Sequence, residues 1–156
     1  RRLTGADVKK KGPDGVAMRY LELMKRVTRN VPDGTTEGDM IRYIAGSVPN
    51  GFWIVGGFLD GLLVSAASVH IVPHAWAKVA WIDDVATWDG CEGRGYSTAV
   101  IEIAEMLIVE KFPASLGIRR VSREMLTCKE KVRPFYEHRG FVFRDEVIMQ
   151  KDFPRE

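Results

Sequence analysis

Between a strand-like run, Ala80-Trp81-Ile82-Asp83-Asp84-Val85-Ala86-Thr87, and a helix-like run from Ser97 to Lys111 lie the residues Glu92-Gly93-Arg94-Gly95-Tyr96-Ser97. This segment limits the fold more than any other. The loop is a glycine-bearing connection that opens a helix. It also leaves backbone N–H groups of the first helical turn without partners inside the helix and points them at one spot. With the helix dipole behind them these amides form an anion site, and the anion that suits it is the phosphate of a ligand. The bland alternative is an ordinary strand-to-helix connection.

Spacing separates three kinds of phosphate loop. A Walker loop needs Lys and then Ser or Thr after its last glycine. Gly90, Gly95 and Ser97 fit that frame, but Tyr96 stands where the lysine belongs. A dinucleotide fingerprint needs a third glycine three residues after Gly95, where this chain has Thr98. The third kind, the acyl-CoA loop, has the usual form Arg/Gln-x-x-Gly-x-Gly/Ala. Glu92-x-x-Gly95-x-Ser97 keeps its spacing, its first glycine and a small last residue, and departs from it at Glu92. That carboxylate must point away from any anion held there.

Element order follows from periodicity and turn chemistry. Leu3 belongs to a clipped first strand. Val16, Tyr20, Leu21, Met24 and Val27 recur at helical spacing. Thr36-x-x-Asp39 has the form of a capping box that starts a second helix, with Met40, Ile41, Ile44 and Ala45 as its apolar face. Phe52–Leu59 and Leu62–Val72 read as strands joined by a tight Asp60-Gly61 turn. Pro73 to Lys78 is a loop before the Ala80 strand. After the long helix, Arg120–Cys128 reads as a strand, Val132–Arg139 as a short helix, and Phe141–Lys151 as the last strand. Pro134 suits an early helical turn, and Gly140 suits the left-handed position just past a helix end.

The 156 residues predict one domain, 1–156, large enough for a real core. A hydrophobic content of 46% and a charged content of 28% are those of a globular protein. A net charge of +2, with no basic cluster interleaved with aromatics, argues against a nucleic-acid surface. The longest apolar run, Ile103 to Val109, is broken by Glu105, so no segment approaches membrane-spanning length. No secretory pattern opens the chain. Cys91 and Cys128 make no disulfide framework, and reduced thiols in a cytoplasmic setting are the expectation. His70, His74 and His138 are too scattered for a metal site, so no metal is expected.

A second constellation, Pro134-Phe135-Tyr136-Glu137-His138-Arg139-Gly140-Phe141, follows the loop at a distance. The loop together with Phe-Tyr-Glu-x-x-Gly-Phe resembles the GNAT superfamily of acetyl-CoA-dependent N-acetyltransferases. The likeness is strong over the second half of the chain and extends to element order in the first. A narrower likeness, to glucosamine-6-phosphate N-acetyltransferases, rests on three features. They are Trp81-Ile82-Asp83-Asp84-Val85, the Cys-x6-Phe-Tyr spacing from Cys128 to Phe135, and the ending Met149-Gln150-Lys151.

The resemblance implies an α/β (α+β) fold with a mixed, mostly antiparallel sheet of about six strands flanked by about four helices. It implies that acetyl-CoA is held by Val85, Ala86 and Thr87 of the strand, by Glu92, Gly93, Arg94, Gly95, Tyr96, Ser97 and Thr98 of the loop, and by Pro134, Phe135 and Tyr136. Backbone N–H groups around Val85 to Thr87, exposed where the strand splays from its neighbour, would stabilise the developing oxyanion. Tyr136 matches the tyrosine that donates a proton to the departing thiolate, a role open to a phenol, which is protonated at neutral pH. Packing on the coenzyme or core is the bland role for Tyr136.

Asp83 and Asp84 are adjacent, so on a regular strand they face opposite sides and only one can enter a given cleft. By resemblance the pair contacts the acceptor, and Asp84 is the candidate base through a water. For a substrate phosphate the candidate cations are Arg133, Lys151, His74 and Lys78. Thr127 stands at the usual acidic position before the cysteine, and Val132 where an asparagine is common; both depart from the subfamily pattern.

The expected reaction is direct acetylation of D-glucosamine 6-phosphate to N-acetyl-D-glucosamine 6-phosphate, in UDP-GlcNAc biosynthesis. The expected assembly is a homodimer that shares its active site, with Lys151 reaching across. The alternatives are a GNAT enzyme acting on a protein lysine, a polyamine or an aminoglycoside, and a non-catalytic CoA-binding module.

Overall fold

The computed structural model describes residues 1–27, 31–47, 52–73, 78–111, 121–125 and 130–143. They fall into two compact units, Arg1–Leu126 and Thr127–Glu156.

The first unit contains α1 (Val16–Val27), α2 (Glu37–Gly46), β1 (Phe52–Leu59), β2 (Leu62–Pro73), β3 (Lys78–Thr87), α3 (Tyr96–Lys111) and β4 (Val121–Met125). The strands form one sheet in the order β1-β2-β3-β4. β1, β2 and β3 are antiparallel, and β4 lies parallel to β3. The sheet is therefore mixed and mostly antiparallel, as expected, with four strands among the described residues. The predicted first strand is reduced to a single bridge, Arg2 to Val55, in which the Leu3 amide donates to the Ile54 carbonyl at 2.7 Å. Of the predicted last strand, residues 141–143 carry no strand, and 144–151 lie outside the described residues.

Local chemistry accounts for the element ends. Asp60 (φ 49°) and Gly61 (φ 80°) are both left-handed, the geometry of the two-residue turn that matches strand twist. The capping box is complete: the Asp39 amide donates to Thr36 Oγ1 at 3.3 Å, and the Thr36 amide donates to Asp39 Oδ2 at 2.8 Å. These bonds satisfy donors that the helix itself leaves orphaned, and the Thr36 hydroxyl, donating to Asp39 Oδ2 at 2.6 Å, together with the Thr36 amide holds the Asp39 carboxyl below its usual range.

One helical layer covers each face of the sheet. On one face Tyr20, Leu23 and Met24 of α1 and Ile44 of α2 close a core with Ile54, Leu63, Ala66 and Ala86. On the other face α3 buries Val100, Ile101, Ala104 and Ile108, and the Val100 side chain comes within 3.3 Å of where a side chain at Gly57 would begin. A side chain at Gly57 would require Val100 of α3 to give by a few tenths of an ångström. Trp88, just past β3, donates its amide to the Val64 carbonyl at 2.7 Å, and its ring lies under the guanidinium groups of Arg19 (4.2 Å) and Arg26 (4.4 Å). That clamp ties the start of the glycine loop to α1. No helix among the described residues is long and apolar enough to cross a membrane.

The second unit shows a 3-10 turn, Glu130–Val132, running into the short helix α4 (Arg133–Glu137) with Pro134 in its first turn. Gly140 follows at φ 84°, so α4 ends in the left-handed manner expected of it.

Candidate active site

β3 is irregular at its acidic pair. Ser68 of β2 faces Asp83, and Ala66 faces Ala86, so Asp84 and Val85 together oppose the single residue Ala67. This is a β-bulge, and Asp84 sits in it at φ 54°, a conformation that few residues other than glycine adopt within a strand. Ser68 Oγ lies 3.2 Å from both the Asp83 carbonyl oxygen and Asp84 Oδ2 and donates into that pair. The bulge overturns the expectation that Asp83 and Asp84 point to opposite sides. Both carboxylates bear on the Tyr43 phenol, on the face covered by α1 and α2. Burial raises the pKa of the Asp83 carboxyl; the nearby His70 imidazole opposes the shift, and the Asp84 carboxylate adds to it.

Asp84 lines a cavity of about 330 Å³ between α1, α2 and the bulge. Its walls are largely apolar: Leu21, Met24, Val31, Pro32 and Met40, with Thr35 at one side. Tyr20 and Tyr43 supply the remaining lining, with their rings stacked at 6.2 Å between centroids. The Tyr20 hydroxyl is fully buried and faces the Tyr43 phenol. Burial first, then the Tyr43 phenol and the Asp84 carboxylate, push Tyr20 well above the usual phenol range. Burial and Asp84 raise Tyr43 as well. Both phenols are therefore neutral donors at physiological pH. Phe52 lies tilted against Tyr43 (4.8 Å) and stacks on His70 (5.2 Å), which links the cavity to the imidazole that bears on Asp83. Spacing marks Tyr20 as a core residue only, and nothing in the sequence near Tyr43, Ser68 or His70 singles them out.

The loop forms as the glycines require. Gly90 (φ 78°), Gly93 (φ 70°) and Gly95 (φ 85°) are all left-handed, and a side chain at any of them would meet nothing of the protein within 4 Å. Glu92 is turned back on its own loop: Oε2 accepts from the Gly90 amide at 2.7 Å. The departure at the first loop position thus leaves the carboxylate bonded within the turn. α3 begins at Tyr96, with the Ala99 amide donating to the Gly95 carbonyl at 2.9 Å. Ser97 Oγ lies 2.6 Å from Thr87 Oγ1, and Thr87 lies 3.0 Å from Ser65 Oγ, so the end of β3 is fastened to the first turn of α3. The fit to a diphosphate rests on these features: first-turn amides of a long helix, glycines that add no bulk, and a carboxylate held aside. β4 pairs with Lys78 to Trp81 only, so among the described residues the β4-side edge of β3 from Ile82 to Thr87 has no partner. Val85, Ala86 and Thr87 lie on that edge.

In the second unit Tyr136 is buried, with ring edges against Phe135 (5.0 Å) and Phe141 (5.9 Å). Its carbonyl accepts from the Arg139 amide at 2.9 Å and the Phe141 amide at 3.2 Å. Arg139 lies over the Phe135 ring at 4.2 Å. His138 is exposed, as expected. Arg133, one of the candidate phosphate cations, donates to Glu137 Oε1 at 2.7 Å, lies 3.5 Å from Glu130 and covers the Phe143 ring at 4.1 Å. Lys78 opens β3. His74, Thr127, Cys128 and Lys151 lie outside the described residues.

No curated protein matches the chain in sequence. Solved structures match it in fold along nearly its whole length. Glucosamine-6-phosphate N-acetyltransferase from Arabidopsis thaliana is 19% identical with a TM-score of 0.71, covering 99% of this chain and 97% of that one. An aminoglycoside acetyltransferase from an uncultured soil metagenomic sample, determined in complex with sisomicin, is 12% identical with a TM-score of 0.73, covering 99% and 95%. An acetyltransferase from Clostridium acetobutylicum, determined with acetyl-CoA, is 15% identical with a TM-score of 0.64, covering 97% and 94%. The sequence profile of the Acetyltransferase (GNAT) family matches residues 19–141. Bulge, glycine loop and family profile converge: the chain belongs to the acetyltransferase (GNAT) family.

Proposed function

We propose that this chain transfers acetyl from acetyl-CoA directly to a primary amine at the bulge of β3. The observation that carries this reading is Asp84, held left-handed in the bulge with its carboxylate on a small-molecule-sized cavity. Acetyl-CoA supplies an activated acyl group; the chain's own residues orient it, take one proton and give another. The loop 92–98 and the β4-side edge of β3 at Val85, Ala86 and Thr87 hold the coenzyme. Asp84 and Asp83 receive the ammonium, and Asp84 draws off its proton through a water. The nitrogen lone pair forms the C–N bond as the thioester C–S bond breaks; Tyr136 protonates the departing sulfur and regains its proton from the second one that nitrogen loses as the amide forms. The balance is R–NH3⁺ plus acetyl-CoA giving R–NH–acetyl, CoA–SH and one proton. In this reading 1–156 acts as one domain, with Pro134, Phe135 and Tyr136 on the coenzyme.

The acceptor implied by the narrower resemblance is D-glucosamine 6-phosphate, in a homodimer with Arg133 and Lys151 on the substrate. The Trp81–Val85 stretch and the fold shared with the Arabidopsis enzyme support it. A second reading, a phosphate-free amine, is favoured by the cavity, whose described lining contains a carboxylate and no lysine, arginine or histidine. Thiol release from acetyl-CoA, measured with each class of amine and with none, tests the transfer. Release that no amine stimulates, with CoA still raising the melting temperature, would make the chain a coenzyme-binding module instead.

A further inference from the structure

We infer that the cavity between α1, α2 and the β3 bulge selects primary amines carried on an apolar stem, aryl-alkyl or alkyl, and discriminates against phosphorylated amines. The inference rests on the transferase reading and names its substrate class.

Three independent features meet in this cavity. Its volume, about 330 Å³, suits a small ligand and lies at the compact end of ligand pockets. Its described lining holds one charged side chain, Asp84. The rest is mostly hydrocarbon and thioether, from Leu21, Met24, Val31 and Met40. An ammonium group has donors for Asp84. Its stem then lies along the methionines, which adapt to irregular apolar shapes.

A phosphate group fails on the same geometry. Placed anywhere against the described lining it meets no cation, and the one charge present repels it. Burying a dianion against apolar walls without a partner is strongly unfavourable. Arg133, one of the cations proposed for that task, is bonded to Glu137 and Glu130.

The test has a binding arm and a turnover arm, both on the full chain. Phenethylamine, hexylamine and D-glucosamine 6-phosphate are titrated calorimetrically in the absence of coenzyme, then compared as acceptors by thiol release. The expected result is measurable binding of the two apolar-stem amines, and kcat/KM at least tenfold above that for glucosamine 6-phosphate. Met40→Arg, which places a cation in the apolar wall, should shift that ratio at least tenfold toward the phosphorylated amine. A CoA-induced rise in melting temperature shows that the variant is folded. A preference for glucosamine 6-phosphate in the wild type overturns this inference and leaves the transferase standing. An unchanged ratio in folded Met40→Arg overturns it too, and thiol release with none of the amines overturns both.

Discussion

Asp84 does two jobs that substitution can separate. It keeps a strained backbone and it presents a charge. A left-handed conformation costs an ordinary L-residue about 1–2 kcal/mol, and Asp and Asn pay least because their short polar side chains bond locally. Asp84→Asn preserves that tolerance and the acceptor for Ser68 Oγ, now 3.2 Å away, and removes only the charge. Its melting temperature should stay within about 2 °C of wild type, the equivalent of roughly 0.5–1 kcal/mol for a chain of this length. Asp84→Ala loses the Ser68 bond, about 0.5–1.5 kcal/mol, and takes on more of the backbone strain. Together these come to about 2 kcal/mol, or a melting point about 4–8 °C lower. Activity should divide the variants differently. If Asp84 receives the ammonium and its proton, Asn and Ala should both lose at least about a hundredfold in kcat/KM, the lower end for a general base. Thermal unfolding and thiol release on the same three proteins decide the matter. Asp84→Asn with turnover within fivefold of wild type would refute the assignment of the charge to acceptor chemistry. Asp84→Asn as unstable as Asp84→Ala would refute the account of the bulge.

Three further outcomes follow from the same structure. Because the folded pKa of Asp83 is raised, its ionised form opposes folding. The cost is absent where both folded and unfolded carboxyls are protonated, below about pH 4, and grows as pH rises through the folded value. Asp83→Asn should therefore melt higher than wild type at pH 7, with the gap closing toward pH 4; calorimetry showing a gap independent of pH would contradict this. Gly95→Asp meets no clash within the protein, and an acidic residue at a helix start favours the helix. Its melting point should fall by only the few degrees of left-handed strain, while CoA affinity, read by titration calorimetry, should drop at least tenfold; unchanged affinity would mean that the loop does not hold the diphosphate. Tyr136→Phe keeps the ring edges against Phe135 and Phe141 and removes the hydroxyl. Steady-state kinetics should show kcat down at least tenfold with little change in KM for acetyl-CoA, and equal turnover would remove Tyr136 from the acid role.

What could be read from the chain, and what could not, divides on whether the determinant is local. The Asp60-Gly61 hairpin, the Thr36–Asp39 box, the Gly95 start of α3 and the Gly140 end of α4 each depend on a few neighbouring residues, and each formed where expected. The bulge is different in kind. It is a register event, decided by how β3 pairs with β2, and no residue of Ile82-Asp83-Asp84-Val85 announces it. Strict alternation therefore assigned the two carboxylates to opposite faces, and the cavity that Asp84 shares with Tyr20 and Tyr43 went unseen, because those tyrosines come from helices distant in sequence. Arg133, proposed as a phosphate cation, has an acidic neighbour that the sequence already shows. Glu137 stands four residues on, at the spacing that pairs charges along a helix, and it takes the guanidinium as that spacing dictates. Proximity to Tyr136 in sequence said nothing about whether the cation had a partner already. Applied to the acceptor, the same test asks which charges in the cavity are answered and by what. Among the described residues Asp84 has one donor, Ser68 Oγ at 3.2 Å, shared with the Asp83 carbonyl. A site with an under-satisfied carboxylate is complementary to an amine, and the apolar remainder of its wall decides what that amine is attached to.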